Sequence, residues 1–224
     1  MPAAAALTPA TAKALLEKQR YDAAILPQLE AYVDAQCASQ SYDLEANLAT
    51  LKLYQFHPEL LKVPTVARIL VKALMNLPQT DYLACTYLVP ERVLDEAPIS
   101  TIAAVAELLE LCSFRQFWGA LAPLRSEVLD ATPGFDAAVR TFMLSTFEIT
   151  YQSVPTGHLR DSLGLASEGE LTALVSARGW TVEGDLVKIK LNDDNTAKPK
   201  RVDASEAMSL PQMTKILASV ASSS

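Results

Sequence analysis

Few residues in this 224-residue chain are of types that could do chemistry. The histidines are His57 and His158, and the cysteines are Cys37, Cys85 and Cys112. A zinc site needs His, Cys or carboxylate ligands at close, repeated spacing. Neither histidine has a second His or a Cys at such a spacing, and no two cysteines form a C-x-x-C pair. His57 precedes Pro58 at a helix end, the place of a partly exposed structural histidine, and His158 is expected on a helix surface. Glu107 and Glu110 stand i, i+3 on a helix. Paired carboxylates can share acid–base work, but on an amphipathic helix this spacing marks a solvated face. The phosphate-binding, dinucleotide and nucleophile-elbow motifs are missing. The cysteines sit beside apolar neighbours in helical patterns and read as buried small hydrophobes, reduced as in the cytosol or nucleus. These signs point away from catalysis, and no cofactor or metal is expected.

Lys188, Lys190, Lys198, Lys200 and Arg201 form the one basic cluster. Asp185, Asp193 and Asp194 share the segment, leaving a net of two positive charges (five minus three) over 185–201. That is weak for a run of phosphates, so a solvated surface is expected rather than an RNA contact. The whole chain carries a net charge of -7. Residues 1–152 hold 11 basic and 17 acidic side chains, a net of -6. An electrostatic nucleic-acid binder is thereby disfavoured.

The elements that must position these residues are mostly helices. Half the residues are hydrophobic and Gly is scarce, with seven. Thr8-Pro9 is a cap followed by a pre-set first helical residue. A second helix is expected from about Asp22 to Ala38, and a third from Asp43 that stops before Pro58. Val66, Ile69, Leu70, Ala73, Leu74 and Leu77 make the cleanest helical stripe, ended by Pro78. Residues 80–95 read as a helix interrupted near Pro90. Helices over 99–112 and 114–125 follow, with Phe117 and Trp118 read as core. Thr132-Pro133 repeats the cap-then-Pro start for a long helix with Phe135, Val139, Phe142, Met143, Thr146 and Ile149 or Thr150 inward. Short helices and tight turns over 1–152 make a HEAT-like helical-repeat array or an irregular bundle.

After Val154-Pro155 the pattern changes. A short helix over 155–163 precedes the capping box Ser167-x-x-Glu170, and Gly179 ends the helix that it starts. Then the apolar period drops to two: Trp180 and Val182, then Leu186-Val187, Ile189 and Leu191 around Glu183-Gly184-Asp185. That is a β-hairpin. A last helix from Ser209 carries Leu210, Met213, Ile216, Leu217 and Val220. The fold class expected is mostly α: a HEAT-like array over 1–152, then a winged-helix module over 153–224 with a small hairpin. Edge strands and terminal apolar helices invite partners. The candidate partner-binding residues are therefore Trp180, Val187, Ile189, Leu191, Leu210, Met213, Ile216, Leu217 and Val220. The N-terminus lacks the pattern of a signal peptide, and no stretch approaches the ~20 apolar residues of a membrane span. The cytosol is the expected location.

A helical array running into a winged helix resembles the PCI family, scaffold subunits of the proteasome lid, the COP9 signalosome and eukaryotic translation initiation factor 3. Particular stretches resemble the subunit k family of the initiation factor. They are Tyr42-Asp43-Leu44-Glu45-Ala46-Asn47-Leu48-Ala49, Leu51-Lys52-Leu53-Tyr54-Gln55-Phe56, Lys72-Ala73-Leu74 with Asn76-Leu77-Pro78, Phe117-Trp118 with Ala120-Leu121, and Ile149-Thr150-Tyr151-Gln152. The resemblance implies a non-catalytic subunit that supports assembly of the complex and initiation on the small ribosomal subunit. It also implies partners among the other initiation factor 3 subunits, subunit l first. Signalosome or lid subunits and a free-standing winged-helix nucleic-acid binder are the rival readings.

Overall fold

A computed structural model describes residues 7–198 and 208–222. Thr8 and Thr11 cap each other's backbone N–H groups at the start of α1 (Pro9–Gln19). Asp22 caps only a 3-10 turn, Ala23–Ile25. Then α2 (Leu26–Ser39) begins with Pro27 in its first turn, where no N–H is needed. Asp43 caps α3 (Leu44–Phe56), which ends at His57. In α4 (Val63–Leu74) the stripe Val66, Ile69, Leu70, Ala73 and Leu74 is buried, as its spacing requires, while Leu77 lies past the helix end. The interrupted stretch becomes α5 (Asp81–Thr86) and α6 (Glu91–Leu94), parted at Pro90.

The array continues through α7 (Ile99–Glu110), α8 (Phe114–Ala120), α9 (Ala122–Glu127) and α10 (Phe135–Thr150). Thr132-Pro133 does not open α10. The Thr132 hydroxyl donates to the Val128 carbonyl, and Gly134, at φ +87°, is the residue before the helix. Phe135, Val139 and Met143 are buried, but Ile149 is exposed and the inner face closes instead on Leu144 and Phe147.

The chain then forms a strand the apolar pattern does not announce, β1 (Ser153–Pro155). After it come α11 (Thr156–Leu163) and α12 (Glu168–Ala177), the latter capped by Ser167. The hairpin is β2 (Thr181–Glu183) and β3 (Leu186–Lys188), turning at Gly184 with φ +60°. All pairing is antiparallel, in the order β1-β3-β2, with Val154 opposite Val187 and Val182 opposite Val187. The Asp185 carbonyl accepts from the Thr156 N–H, tying the hairpin turn to the start of α11. This is a winged helix. Its buried Val154, Leu159, Leu163, Leu171, Val175, Trp180, Val187 and Ile189 join one continuous hydrophobic cluster with the helical array. A last helix, α13 (Leu210–Ala221), follows.

Candidate interaction surfaces

The stretches that carried the resemblance make structural contacts. Asp43 caps α3 and donates its own N–H to the Gln36 Oε1 at 2.8 Å, while Gln36 Nε2 donates to the buried Asn47 at 3.0 Å. Tyr54 and Lys62 both donate to the carboxylate of buried Glu30, at 2.7 and 2.6 Å. A buried polar group costs stability unless it is hydrogen-bonded, so these residue types are fixed by one another.

Two joints seat the winged helix on the array. At the first, the Trp118 indole N–H donates to the Ser162 carbonyl at 2.8 Å. Arg140 holds its guanidinium 5.0 Å from the indole centroid, and its Nε donates to the Leu163 carbonyl at 3.0 Å. Phe117 is the core residue of this pair; Trp118 is half-buried and belongs to the joint. At the second joint, the last turn of α10 leaves carbonyls without helical partners, as every helix end does. Asn195 supplies them. Its Nδ2 lies 3.1 Å from the Glu148 carbonyl, 3.3 Å from that of Tyr151 and 3.0 Å from that of Lys190. Gln152 Nε2 donates back to the Asn195 carbonyl at 2.8 Å. Asn195→Ala should strand the Tyr151 and Lys190 carbonyls, while the Glu148 carbonyl keeps the Asn192 Nδ2 at 3.0 Å, and cost about 2–3 kcal/mol. Urea unfolding measures it, and a loss under about 0.5 kcal/mol would show that water replaces the side chain at no cost.

The two histidines lie far apart, His57 at the end of α3 and His158 in α11. His57 pairs with Glu59 at 3.5 Å, and His158 meets Arg115 at 3.1 Å. Glu107 and Glu110 are exposed. Cys37 and Cys85 are buried as expected, but Cys112 is exposed. It follows the end of α7 with φ +54°, a chain-reversing conformation that turns it out of the helical stripe. A cleft of about 320 Å³ lies against Cys112, Arg115, Tyr151 and His158, where Arg115 already faces His158 and, at 3.6 Å, Asp161. Among the described residues no group of three His, Cys, Asp or Glu could hold a metal ion, and no helix is long and apolar enough to cross a membrane.

The candidate partner residues divide into two sets. Trp180, Val187 and Ile189 are 4, 0 and 5 % exposed, and fill the wing's own core instead of facing outward. β3 is also the middle strand, since β1 covers the side that a two-stranded hairpin would leave open. The edge on the hairpin side is β2, with Val182 47 % exposed. Leu191, Leu210, Met213, Ile216, Leu217 and Val220 are all exposed, and α13 buries none of its residues. In the basic cluster, Lys188 and Lys190 are exposed and Lys198 pairs with Asp193 at 3.0 Å; Lys200 and Arg201 lie outside the described residues.

Residues 44–201 match the model of the CSN8/PSMD8/EIF3K family. The chain belongs to this family. Among its relatives is the protein named eukaryotic translation initiation factor 3 subunit K of Xenopus tropicalis, 40% identical over 184 residues, 82% of this chain and 84% of that one. The human protein of the same name is 36% identical over 200 residues, 89% of this chain and 90% of its own. That of Anopheles gambiae is 39% identical over 177 residues, 79% and 80% of the two chains. The CSN8/PSMD8/EIF3K match opens on the first residue of α3 and closes on Arg201, the last residue of the basic cluster, so both joints fall inside it and α13 lies beyond it.

Proposed function

We propose that this chain is a non-catalytic structural subunit of the eukaryotic translation initiation factor 3 complex, working in the cytoplasm. The identity of 36–40% to proteins named as subunit K, running across most of both chains, carries this reading over the signalosome and proteasome-lid branches of the family. In this reading residues 1–152 act as the helical array and 153–224 as the winged-helix module. The chain works by presenting surfaces to the other subunits, and subunit l is the neighbour that the resemblance puts first. It reaches the small ribosomal subunit through the complex.

The docking surface is α13 together with Leu191 and the β2 edge. The apolar stripe Leu210, Met213, Ile216, Leu217 and Val220 is what a helix–helix contact uses. Its residues are 49–80 % exposed. Burying such side chains contributes about 1.5–3 kcal/mol each before ordering costs. Replacing Ile216 and Leu217 together by Glu should therefore cut co-purification with the other initiation factor subunits at least tenfold and leave the melting temperature of the free chain unchanged. Undiminished assembly would remove α13 from the interface. Affinity purification with mass spectrometry tests the complex itself, and recovery of signalosome subunits instead would overturn the assignment. A salt-sensitive complex with RNA, lost on changing Lys188 and Lys190 to Glu, would favour the nucleic-acid reading instead.

A further inference from the structure

The acidity of the helical array is concentrated in one stretch. Residues 73–114 carry a net charge of -5 (one basic minus six acidic side chains), and the rest of 1–152 comes to -1 (ten minus eleven). The one cation of the stretch, Arg92, donates to the Pro58 carbonyl. Elsewhere carboxylates are matched, as Glu30 is by Lys62, Asp136 by Arg125 and Glu148 by Arg178. Among the described residues Glu91, Asp95, Glu96, Glu107 and Glu110 make no ion pair.

The same stretch holds an apolar cleft of about 240 Å³. Leu77, Pro78 and Leu83 line one side, Ala106 and Glu110 of α7 another, and Phe142 of α10 the floor between. Leu83 is 49 % exposed, and Tyr87, one turn on at the end of α5, is 76 % exposed. Leu111, beside Glu110, is 65 % exposed. Glu107 stands one turn before Glu110, so both carboxylates share one exposed face of α7. Burial raises the pKa of Tyr82, which also lines the cleft, and the charge of Glu110 adds to the rise. That places the Glu110 carboxylate at the cleft wall.

We propose that this cleft docks a basic amphipathic segment of another protein. An apolar side chain of the segment enters between Leu83, Ala106 and Phe142, and Lys or Arg side chains next to it meet Glu107 and Glu110. Charge complementarity selects the occupant. An acidic segment, an RNA backbone or an anionic membrane would be repelled by the same carboxylates. The site lies on the array, apart in sequence from the wing and α13, and does not depend on the assembly proposed above.

The test is fluorescence anisotropy with the full chain. The probe is a fluorescein-labelled peptide in which leucines recur at helical spacing among lysines. Two control peptides carry glutamates in place of the lysines, or serines in place of the leucines. Saturable binding of the leucine–lysine peptide is expected. It should weaken about tenfold or more in Glu107→Lys with Glu110→Lys, and likewise in Leu83→Ser with Tyr87→Ser, at an unchanged melting temperature. Glu168→Lys with Glu170→Lys makes the same change of net charge on the winged helix and should leave binding unaltered. The proposal is overturned by no saturable binding, by binding that survives the α7 charge reversal, or by equal weakening from the reversal on the winged helix. Either control peptide bound as tightly would overturn it too. So would a concentration-dependent dimer in sedimentation that the α7 reversal abolishes, because the face would then belong to a second copy of the chain.

Discussion

Gly164→Ala should destabilise the chain by about 3 kcal/mol although it adds a single methyl group. The residue sits at φ +60°, and a Cβ there would stand 2.6 Å from two carbons of the Trp118 indole. The indole cannot retreat without breaking its 2.8 Å bond to the Ser162 carbonyl and its contact with the Arg140 guanidinium. The penalty has two parts. The left-handed backbone costs an L-residue roughly 1–2 kcal/mol, and the steric overlap costs about 1–3 kcal/mol more. A double-mutant cycle separates them. Trp118→Ala alone should lose about 2–3 kcal/mol, less than a fully buried tryptophan, because the ring is half-buried. Adding Gly164→Ala to it should then cost only the backbone part. Chemical denaturation of the four proteins supplies the numbers, and strict additivity would mean that the methyl group and the ring never meet.

Raising the pH above about 9 should unfold the protein steeply. Burial pushes the Cys85 thiol up to about 12 and raises Cys37 as well, from an ordinary value of 9.0. Burial likewise raises Tyr32, Tyr42, Tyr54 and Tyr82 above 10.0, and Asp81 beside Tyr42 and Glu30 beside Tyr54 act in the same direction. The unfolded chain releases these protons near 9 and 10 while the folded chain keeps them. Stability is therefore intact below the unfolded values and falls as pH climbs toward the folded ones. For Cys85 alone, two pH units above 9 amount to about 3 kcal/mol, a large part of a typical domain's total. Lys72 opposes the trend: burial lowers its pKa below 10.5, so deprotonation at high pH relieves a penalty. It is one group against six. Melting temperature measured from pH 7 to 11 should drop beyond pH 9, and Cys85→Ala should make the fall shallower. A flat profile to pH 11 would contradict the burial of the thiols and phenols.

Much of the fold could be read locally. Thr8, Asp43 and Ser167 cap helices where their types and neighbours demanded, and the α4 stripe and the 181–188 hairpin appear where the apolar period changes. What escaped depends on residues far apart in the chain. β1 is three residues ending in proline, with no alternation to detect, and exists because β3 pairs with it more than thirty positions later. Asn195 sits in a polar loop whose composition gives no sign that it closes a helix end. Cys112 matched a helical stripe that the chain had already left. The candidate site was half legible for a similar reason. Trp180, Val187 and Ile189 have the same apolar spacing whether they face a partner or their own core, and burial alone separates them from Leu191 and the α13 stripe.

The exposed α13 bears on how binding free energy is divided. Twelve residues are fewer than an isolated helix needs to hold itself together in water. Fixing one residue's backbone costs roughly 1–2 kcal/mol, so ordering this segment consumes much of what its stripe releases when covered. In the docking proposed above, the contact is then reversible and modest in affinity for its size, and sensitive to the helix propensity of positions outside the stripe. A single helix-breaking Gly on the outer face of α13 would weaken binding without altering one contact.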